Sequence, residues 1–218
     1  MLKRTDHERQ LAWACFGLTA ILAILVKVNA TVIQQFDNLS FQAVAKLDGV
    51  TMTTVFKLIT TVASPAVTLA VALLFGIVLY VTHHRTLGIL AITTMFGGDA
   101  AALVVKFLVQ RNRPTQQLMP DTGYSFPSGH VFGTTLLVTI LLAIGLPFIR
   151  SHAVQVGLIV LGIVWILIVL ISRVYLRDHF ASDTAGSLAL ASGCWQQGRA
   201  WFWSWQPRAH AILNRQND

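Results

Sequence analysis

The stretch that decides the fold is "AVQVGLIVLGIVWILIVLI", Ala153–Ile171, in which Gln155 is the one strongly polar side chain. A helix needs about 20 apolar residues to cross the hydrocarbon layer of a bilayer. Because no water reaches that layer, the backbone groups inside it must be paired within the protein, and a helix pairs its own. The stretch therefore predicts a transmembrane helix.

Five further apolar blocks flank this segment, and together they explain the composition. Hydrophobic residues make up 55% of the chain, charged residues 11%, and the mean hydropathy is +0.64. Such blocks favour an integral membrane protein over a soluble domain with a large core. The sequence predicts an all-α fold in which residues 1–218 form one domain, a bundle of six transmembrane helices. The other predicted spans are Leu11–Val28, Leu58–Thr82, Leu87–Val109, Val131–Ile149 and Phe180–Trp203.

The first and last blocks differ from the others. Asp183, Gln196 and Gln197 interrupt the last block, which makes it the weakest of the predicted spans. The first block is preceded by "MLKRTDHER" and followed by "VNA", a pattern that resembles a signal peptide with its cleavage site. We expect an uncleaved first helix, and cleavage would leave five spans with the later topology unchanged.

The segment "TVIQQFDNLSFQAVAKLDG", Thr31–Gly49, joins the first two predicted spans. Its apolar residues recur at helical spacing with polar residues between them, at Val32, Phe36, Leu39, Ala43 and Leu47. This pattern favours a short amphipathic helix lying in the membrane interface, although an ordinary connecting loop explains it equally well.

Polar residues that do not suit a bilayer collect in two loops. The loop after the third span contains "KFLVQRNRP" (Lys106–Pro114) and "SFPSGH" (Ser125–His130). The loop after the fifth span contains "SRVYLRDHFASD" (Ser172–Asp183). Both loops follow odd-numbered spans, so they open on the same face of the membrane and can form one site.

The first loop offers two kinds of anion ligand. Lys106 and Arg113 are seven residues apart, close to two helical turns, so both cations point the same way if the helix continues that far. Ser128 is a good N-cap for the fourth span, with Gly129 and His130 in its first turn. A helix N-terminus with free N–H groups binds anions.

The second loop adds acid–base groups. His179 and Asp183 are one helical turn apart, so the carboxylate can hold one imidazole nitrogen and raise the nucleophilicity of the other. Together with Arg173, the cations suit a phosphate group, because phosphoryl transfer depends on positioning and on stabilising charge on the equatorial oxygens. Two histidines allow one to attack phosphorus and the other to protonate the leaving oxygen. No metal cofactor is expected, since the sequence has no thiolate or acidic cluster.

Each of these residues has an ordinary interpretation when taken alone. A basic residue at a helix end is usually an interfacial anchor, a serine before a helix is usually a cap, and a His–Asp pair is commonly a surface pair. Their joint occurrence in two loops on one face is what favours a site. Asp99 in the third span is interpreted as a structural polar contact, and Cys15 and Cys194 as small core residues rather than a disulfide.

At these residues the sequence resembles the type 2 phosphatidic acid phosphatase superfamily, whose signature is K-x6-RP, PSGH and SR-x5-H-x3-D. All three parts are present at matching spacing, as Lys106 with Arg113-Pro114, Pro127–His130, and Ser172-Arg173 with His179 and Asp183. Two departures are visible. Arg177-Asp178 adds charge where the family often has Gly-Val, and Gly186 follows the motif aspartate by three residues rather than four.

The resemblance implies a role for each matching residue. His179 would be the nucleophile that forms a phosphohistidine, Asp183 would orient it, and His130 would protonate the leaving group and later activate water. The phosphate would be held, without a metal, by Lys106, Arg113, Ser128, Gly129 and Arg173.

The charge pattern bears on partners and topology. The net charge is +7 and the basic residues flank apolar blocks, which favours anionic lipid headgroups over nucleic acid as the partner. Six spans put both termini on one side. Lysines and arginines divide evenly between the two sides, but once Lys106, Arg113 and Arg173 are set aside as site residues, the positive-inside rule makes the termini cytoplasmic. The site of this multi-pass cell-membrane protein then faces away from the cytoplasm.

The leading hypothesis is a metal-independent lipid phosphatase acting on the terminal phosphate of phosphatidylglycerol phosphate, phosphatidate or undecaprenyl pyrophosphate. A phosphotransferase that uses undecaprenyl pyrophosphate as donor needs the same residues, and a non-enzymatic transporter of anionic lipids would use the cations alone. Haloperoxidases with the same motif set are soluble and so are disfavoured. The sequence leaves the choice of lipid and the oligomeric state open.

Overall fold

The computed structural model describes residues 2–214, and within that range side chains are described for residues 6–202 and 204. The described chain is all-helical, without a strand. Its helices are α1 (Leu2–Lys27), α2 (Thr31–Ala45), α3 (Val50–Val62), α4 (Pro65–Val81), α5 (Arg85–Val109), α6 (Gly129–Gly145), α7 (His152–Tyr175) and α8 (Ala181–Asn214). A single 3₁₀ turn, Leu146–Phe148, extends α6.

Four segments of the described chain are long and apolar enough to cross a membrane: Asp6–Lys27, Arg85–Val109, Gly129–Phe148 and His152–Tyr175. The pair formed by α3 and α4 would be a fifth span if the two helices are counted together. The predicted all-α membrane fold is confirmed at this level, and the count of six spans stays a prediction.

The predicted second span, Leu58–Thr82, is bent in the structure. It covers the end of α3, a bend of 41° and the whole of α4. Pro65 lacks a backbone N–H and disfavours the helical conformation in the residue before it. Ser64 instead caps α4, its hydroxyl accepting a hydrogen bond from the backbone N–H of Val67 at 3.4 Å. The apolar block is therefore two helices rather than one straight span.

The predicted sixth span, apart from Phe180, lies in α8, which is not among the segments of the described chain that are long and apolar enough to cross a membrane. The helix packs against α1, α5 and α6, and its polar Thr184 and Ser187 are buried. Leu190, Ala191 and Trp195 of α8 enter the main hydrophobic core. Because neighbouring helices cover α8, its surface does not need the apolar composition that contact with lipid requires.

The segment between the first two apolar blocks is helical, as α2. Its Ile33 and Asp37 are buried, whereas Val32, Phe36 and Leu39 are exposed. The spacing of its apolar residues left a helix and a connecting loop open, and the structure shows a helix. Its position in the membrane interface stays a prediction.

Four helix ends meet at one end of the bundle, where residues 110–128 connect α5 to α6. The C-terminal ends of α5 and α7 lie there with the N-terminal ends of α6 and α8, as hydrogen bonds between their flanking residues show. α5 ends at Val109, as the predicted third span does, so the condition that the helix continue to Arg113 is not met. The helix ends there because Gln110 adopts the left-handed conformation, with φ of 55°.

Candidate active site

His179 lies in the short turn between α7 and α8 and is 1% exposed. Its backbone N–H donates to the carbonyl of Arg173, which fixes the turn. Nε2 of the ring lies 3.2 Å from Nη1 of Arg113. Because a guanidinium only donates hydrogen bonds, Nε2 must be the acceptor, and the proton of the neutral ring is on Nδ1. The lone pair of Nε2 therefore faces the cations of the site.

Asp183 stands in the first turn of α8 with its side chain fully buried. One carboxylate oxygen, Oδ2, accepts the backbone N–H of Phe180 at 2.9 Å, which satisfies a free donor at the start of the helix. The same oxygen accepts the hydroxyl proton of Ser125 and lies 3.6 Å from Nδ1 of His179. The predicted His–Asp pair is thus formed, with Ser125 beside it.

The three predicted cations form one cluster, in which Lys106 is near enough to Arg113 and Arg173 to interact electrostatically. Arg113 donates from Nη1 to the carbonyl of Asp178 at 2.9 Å, and the same nitrogen lies 3.0 Å from Oδ2 of Asp121. Arg173 is 1% exposed and pairs with Asp121 at 2.7 Å and with Asp178 at 3.0 Å. Lys106 donates to the carbonyl of Tyr124 at 2.8 Å. The cations are held by loop carbonyls and by two carboxylates.

The N-terminus of α6 supplies the remaining predicted residues. Ser128 is the N-cap, as expected, but its side chain does not cap the helix. Its hydroxyl is buried and has no hydrogen-bond partner among the described residues, so it is free to donate to a ligand. Gly129 and His130 form the first helical residues. His130 is near enough to interact electrostatically with Arg173 and His179.

The surroundings set the charge of the loop residues. Burial lowers the pKa of His179 to about 4, and the Asp183 carboxylate opposes this shift. Burial also raises the pKa of Asp178 to about 6, against the effect of Arg173. For Asp121, burial alone would raise the pKa, but Arg113 and Arg173 outweigh it and hold the pKa below its usual range. At neutral pH the His179 imidazole is therefore neutral.

Several residues of the site were not found from the sequence. Arg111 donates from Nη1 to Oδ1 of Asp183 at 2.6 Å, and Asp37 of α2 pairs with the same guanidinium at 2.7 Å. Asp121 and Ser125 occupy the loop before PSGH. Of these additional site residues, only Asp178 was noted in the sequence, as a charged departure from the family pattern. Its carboxylate pairs with Arg173.

Asp99, Cys15 and Cys194 are the polar and thiol groups that the sequence did not assign to the site. Asp99 is half-buried on α5 and makes no side-chain hydrogen bond or ion pair among the described residues, so the expected structural polar contact is not seen; Lys106 is near enough to interact with it electrostatically. Gly98 beside it faces α6, where a Cβ atom would lie 2.8 Å from Leu136. Cys15 and Cys194 are free thiols. Within the described residues, no group of three or more His, Cys, Asp or Glu side chains could hold a metal ion.

Residues 86–209 match the family model of the PAP2 superfamily, and the chain belongs to that superfamily. The match covers more than half of the chain and includes every residue to which the sequence assigned a role in the site. The protein is accordingly a multi-pass membrane enzyme, a phosphatase that hydrolyses lipid phosphates.

Two curated relatives carry one name. The chain is 29% identical over 175 residues to phosphatidylglycerophosphatase B of Bacillus subtilis (strain 168), a match that covers 78% of this chain and 84% of the relative. It is 43% identical over 74 residues to phosphatidylglycerophosphatase B of Haemophilus influenzae, covering 33% of this chain and 30% of that one.

Solved structures share the fold. The crystal structure of a transmembrane PAP2-type phosphatidylglycerolphosphate phosphatase from Bacillus subtilis superimposes with a TM-score of 0.75 at 22% identity, over 87% of this chain and 94% of that one. The crystal structure of LpxE from Aquifex aeolicus gives a TM-score of 0.57 at 16% identity, over 72% and 91% of the two chains.

Proposed function

We propose that this protein removes the terminal phosphate of a membrane lipid through a phosphohistidine on His179, without a metal ion. The observation that carries the proposal is the position of the His179 ring. Its Nε2 faces Arg113 at 3.2 Å, while its Nδ1 faces the Asp183 carboxylate at 3.6 Å. A neutral imidazole held in this way is a nucleophile aimed at a cluster of phosphate-binding cations.

In the first step Nε2 of His179 attacks phosphorus, forming a P–N bond as the P–O bond to the lipid breaks. His130 gives its proton to the leaving oxygen, and the lipid departs as an alcohol, or as the lipid monophosphate when the substrate is undecaprenyl pyrophosphate. The ring of His179 becomes positively charged, and Asp183 stabilises that charge. The equatorial oxygens take hydrogen bonds from the guanidiniums, the Lys106 ammonium, the Ser128 hydroxyl and the free N–H groups of α6.

In the second step His130, now neutral, takes a proton from water. The resulting hydroxide attacks phosphorus, the P–N bond breaks, and its electron pair returns to Nε2 of His179. Inorganic phosphate leaves, with His130 protonated and His179 neutral as at the start. The two steps use the same cations, because both transition states carry charge on the same oxygens.

Phosphatidylglycerol phosphate is the substrate we favour, because both curated relatives are named phosphatidylglycerophosphatase B. Phosphatidate and undecaprenyl pyrophosphate present the same terminal phosphate and belong in the test. A phosphotransferase would need a second lipid as acceptor, which an assay with water as the only acceptor separates from hydrolysis.

We propose the predicted topology for the membrane arrangement, with α8 as the sixth span, both termini cytoplasmic and the site on the opposite face. The interfacial position of α2 is supported by its exposed apolar residues, Val32, Phe36 and Leu39. These would contact lipid while Asp37 on another face of the helix is buried in the protein.

The test is phosphate release by the purified protein from a panel of the three lipids, with and without EDTA. The His179→Ala variant should lose about 10³-fold or more in kcat. His152→Ala is the matched control, because His152 is exposed at the other end of α7. No release from any lipid would refute the enzyme, and loss of activity with EDTA would refute the metal-free reaction.

A labelling experiment tests the intermediate. Protein mixed with radiolabelled lipid phosphate and quenched in alkali should carry an acid-labile label, as phosphohistidine does. His179→Ala should carry none, and His152→Ala should be labelled like the wild type. An anionic-lipid transporter would keep its flux in His179→Ala and would never become labelled.

A further inference from the structure

Asp37 is a carboxylate on α2 that is 2% exposed, and all of its contacts lead towards the catalytic residues. Its Oδ1 accepts the backbone N–H of Ser182 at 2.9 Å, and its Oδ2 accepts the Ser182 hydroxyl at 2.9 Å. The same Oδ2 also accepts Nη2 of Arg111 at 2.7 Å. A buried carboxylate with this many charge-assisted bonds is fixed in place.

Arg111 connects this carboxylate to the site. Its Nη1 donates to Oδ1 of Asp183 at 2.6 Å and to the Ser182 hydroxyl at 2.7 Å. The guanidinium also stacks on the ring of Phe180, 3.8 Å from the ring centroid. One arginine is therefore shared by two buried carboxylates, Asp37 and Asp183, and the second of these holds His179.

We propose that Asp37 is a positioning residue for the reaction, which acts by drawing part of the Arg111 charge away from Asp183 and so tunes the carboxylate that supports His179. The proposal rests on the proposed function of His179 as nucleophile. Asp37 lies on α2, which is outside the signature motifs, so the proposal assigns that helix a role in positioning the catalytic residues.

The direction of the effect follows from the charges. With Asp37 neutralised, Arg111 acts on Asp183 without competition, the carboxylate supports a positive imidazole less well, and His179 becomes less basic. With Arg111 neutralised, two buried carboxylates remain without their shared cation, and His179 becomes more basic. The two substitutions move the same property in opposite directions, which loss of structure would not do.

Other charged groups also face His179 and stay unchanged in this comparison. They come from every element around the ring: Asp183 on α8, Arg173 on α7, Lys106 on α5 acting on Asp183, His130 on α6, and Arg113 and Asp121 in the connecting loop. Because these groups are the same in every variant, a shift in the pH profile of an Asp37 or Arg111 variant is due to the substituted residue.

The experiment compares kcat/KM against pH for the full-length wild type, Asp37→Asn, Arg111→Met and Asp37→Glu. We expect Asp37→Asn to move the acid limb down by about half a pH unit and to lower kcat about fivefold with little change in KM. Arg111→Met should move the acid limb to higher pH. Asp37→Glu keeps the carboxylate, so its acid limb should stay at the wild-type position. Asp48→Asn, which removes an exposed charge beside Tyr175, should match the wild type.

An acid limb that stays in place in both variants while kcat falls would overturn the proposal and leave a purely structural role. A second measurement does not depend on turnover: the nitrogen chemical shifts of isotope-labelled histidine, with His179 assigned by its loss in His179→Gln. Opposite shifts of the His179 titration in the two variants support the proposal even if no lipid phosphate is hydrolysed. In that case the proposed function alone fails.

Discussion

Nδ1 of His179 lies 3.6 Å from Oδ2 of Asp183, and the hydroxyl of Ser125 contacts both atoms. Since Ser125 donates its proton to the carboxylate, its oxygen can accept the N–H of the imidazole, at 3.4 Å. The neutral histidine is therefore linked to the aspartate through a hydroxyl, and Oδ2 lies close enough to stabilise a positive charge when the ring acquires one. The orientation of the His179 ring therefore depends on Ser125 as well as on Asp183.

Ser125→Ala should lower kcat about tenfold with KM unchanged, because the ring loses one of the two groups that hold it. Asp183→Asn should lose about 10³-fold or more in kcat, since it also removes the charge that would stabilise the proposed phosphohistidine. Steady-state kinetics on one lipid measures both. The control is Ser192→Ala, an exposed α8 serine whose hydroxyl bonds to the carbonyl of Leu188. A Ser125→Ala enzyme with wild-type kcat would contradict the link.

The pH profile should reflect the buried state of His179. Burial lowers its pKa to about 4, so Nε2 is unprotonated above that value, and kcat/KM should fall on the acid side near pH 4 rather than near 6.5. Profiles corrected for ionisation of the substrate phosphate provide the measurement. An acid limb near pH 6.5, the ordinary pKa of histidine, would contradict this prediction.

The same group links pH to stability. The pKa of His179 is lowered to about 4 in the folded protein and is about 6.5 in the unfolded chain. Its contribution to the free energy of unfolding is thus present above 6.5 and is lost as the pH falls from there to 4. His179→Gln should show a smaller loss of thermal stability across that window than the wild type, and an identical slope in both would contradict the assignment.

His130→Ala should depend on the leaving group. The lipid alcohol is a poor leaving group and needs the proton that His130 gives, so kcat/KM should fall about 10²- to 10⁴-fold. With p-nitrophenyl phosphate, whose anion leaves without a proton, the first step should be nearly unaffected. A burst of p-nitrophenol followed by slow turnover is expected, because the base for the second step is missing. Equal losses with both substrates would contradict this role.

Asp121 places one carboxylate oxygen against both Arg113 and Arg173, at 3.0 and 2.7 Å. A phosphate oxygen competes for the same donors, so Asp121→Asn should strengthen inhibition by inorganic phosphate, lowering its Ki about fivefold. Asp48→Asn controls for the loss of one negative charge. A Ki that rises in Asp121→Asn would mean that the carboxylate mainly holds the arginines in position.

The signature residues were predictable because spacing and helix parity bring them together. Arg113 and His179 lie in the two loops that follow odd-numbered apolar blocks, and Lys106 and His130 lie in the ends of α5 and α6 that border the first of them. These loops and helix ends meet at one end of the bundle. Although α5 ends before Arg113, the connecting loop brings that residue to His179. The signature motif therefore predicted which residues lie together, even though the helical spacing of Lys106 and Arg113 was not the reason.

The residues that were not predicted from the sequence are those whose role depends on how separate helices and loops pack together. Asp37 and Arg111 are 74 positions apart, and nothing in a helix of mixed polarity reveals that its aspartate packs against an arginine. Gln110 ends α5 in the left-handed conformation, which glycine or asparagine would have signalled but glutamine does not. The bend at Pro65 did have a signal, which the continuous apolar run on both sides concealed.

Gly186 of α8 packs against the ring of Phe126. A Cβ atom at Gly186 would lie 2.5 Å from two carbons of that ring. Phe126 is fully buried and lies between Ser125 and the turn that presents Ser128. Gly186→Ala should therefore cost about 1–3 kcal/mol of stability and should lower kcat by displacing both serines. Gly157→Ala is the matched control: on α7, its Cβ would have no described atom within 4 Å, so alanine should be neutral or stabilising there. Adding Phe126→Leu to Gly186→Ala should restore part of the melting temperature in detergent. If the two alanine variants melt and turn over alike, Gly186 does not support the loop.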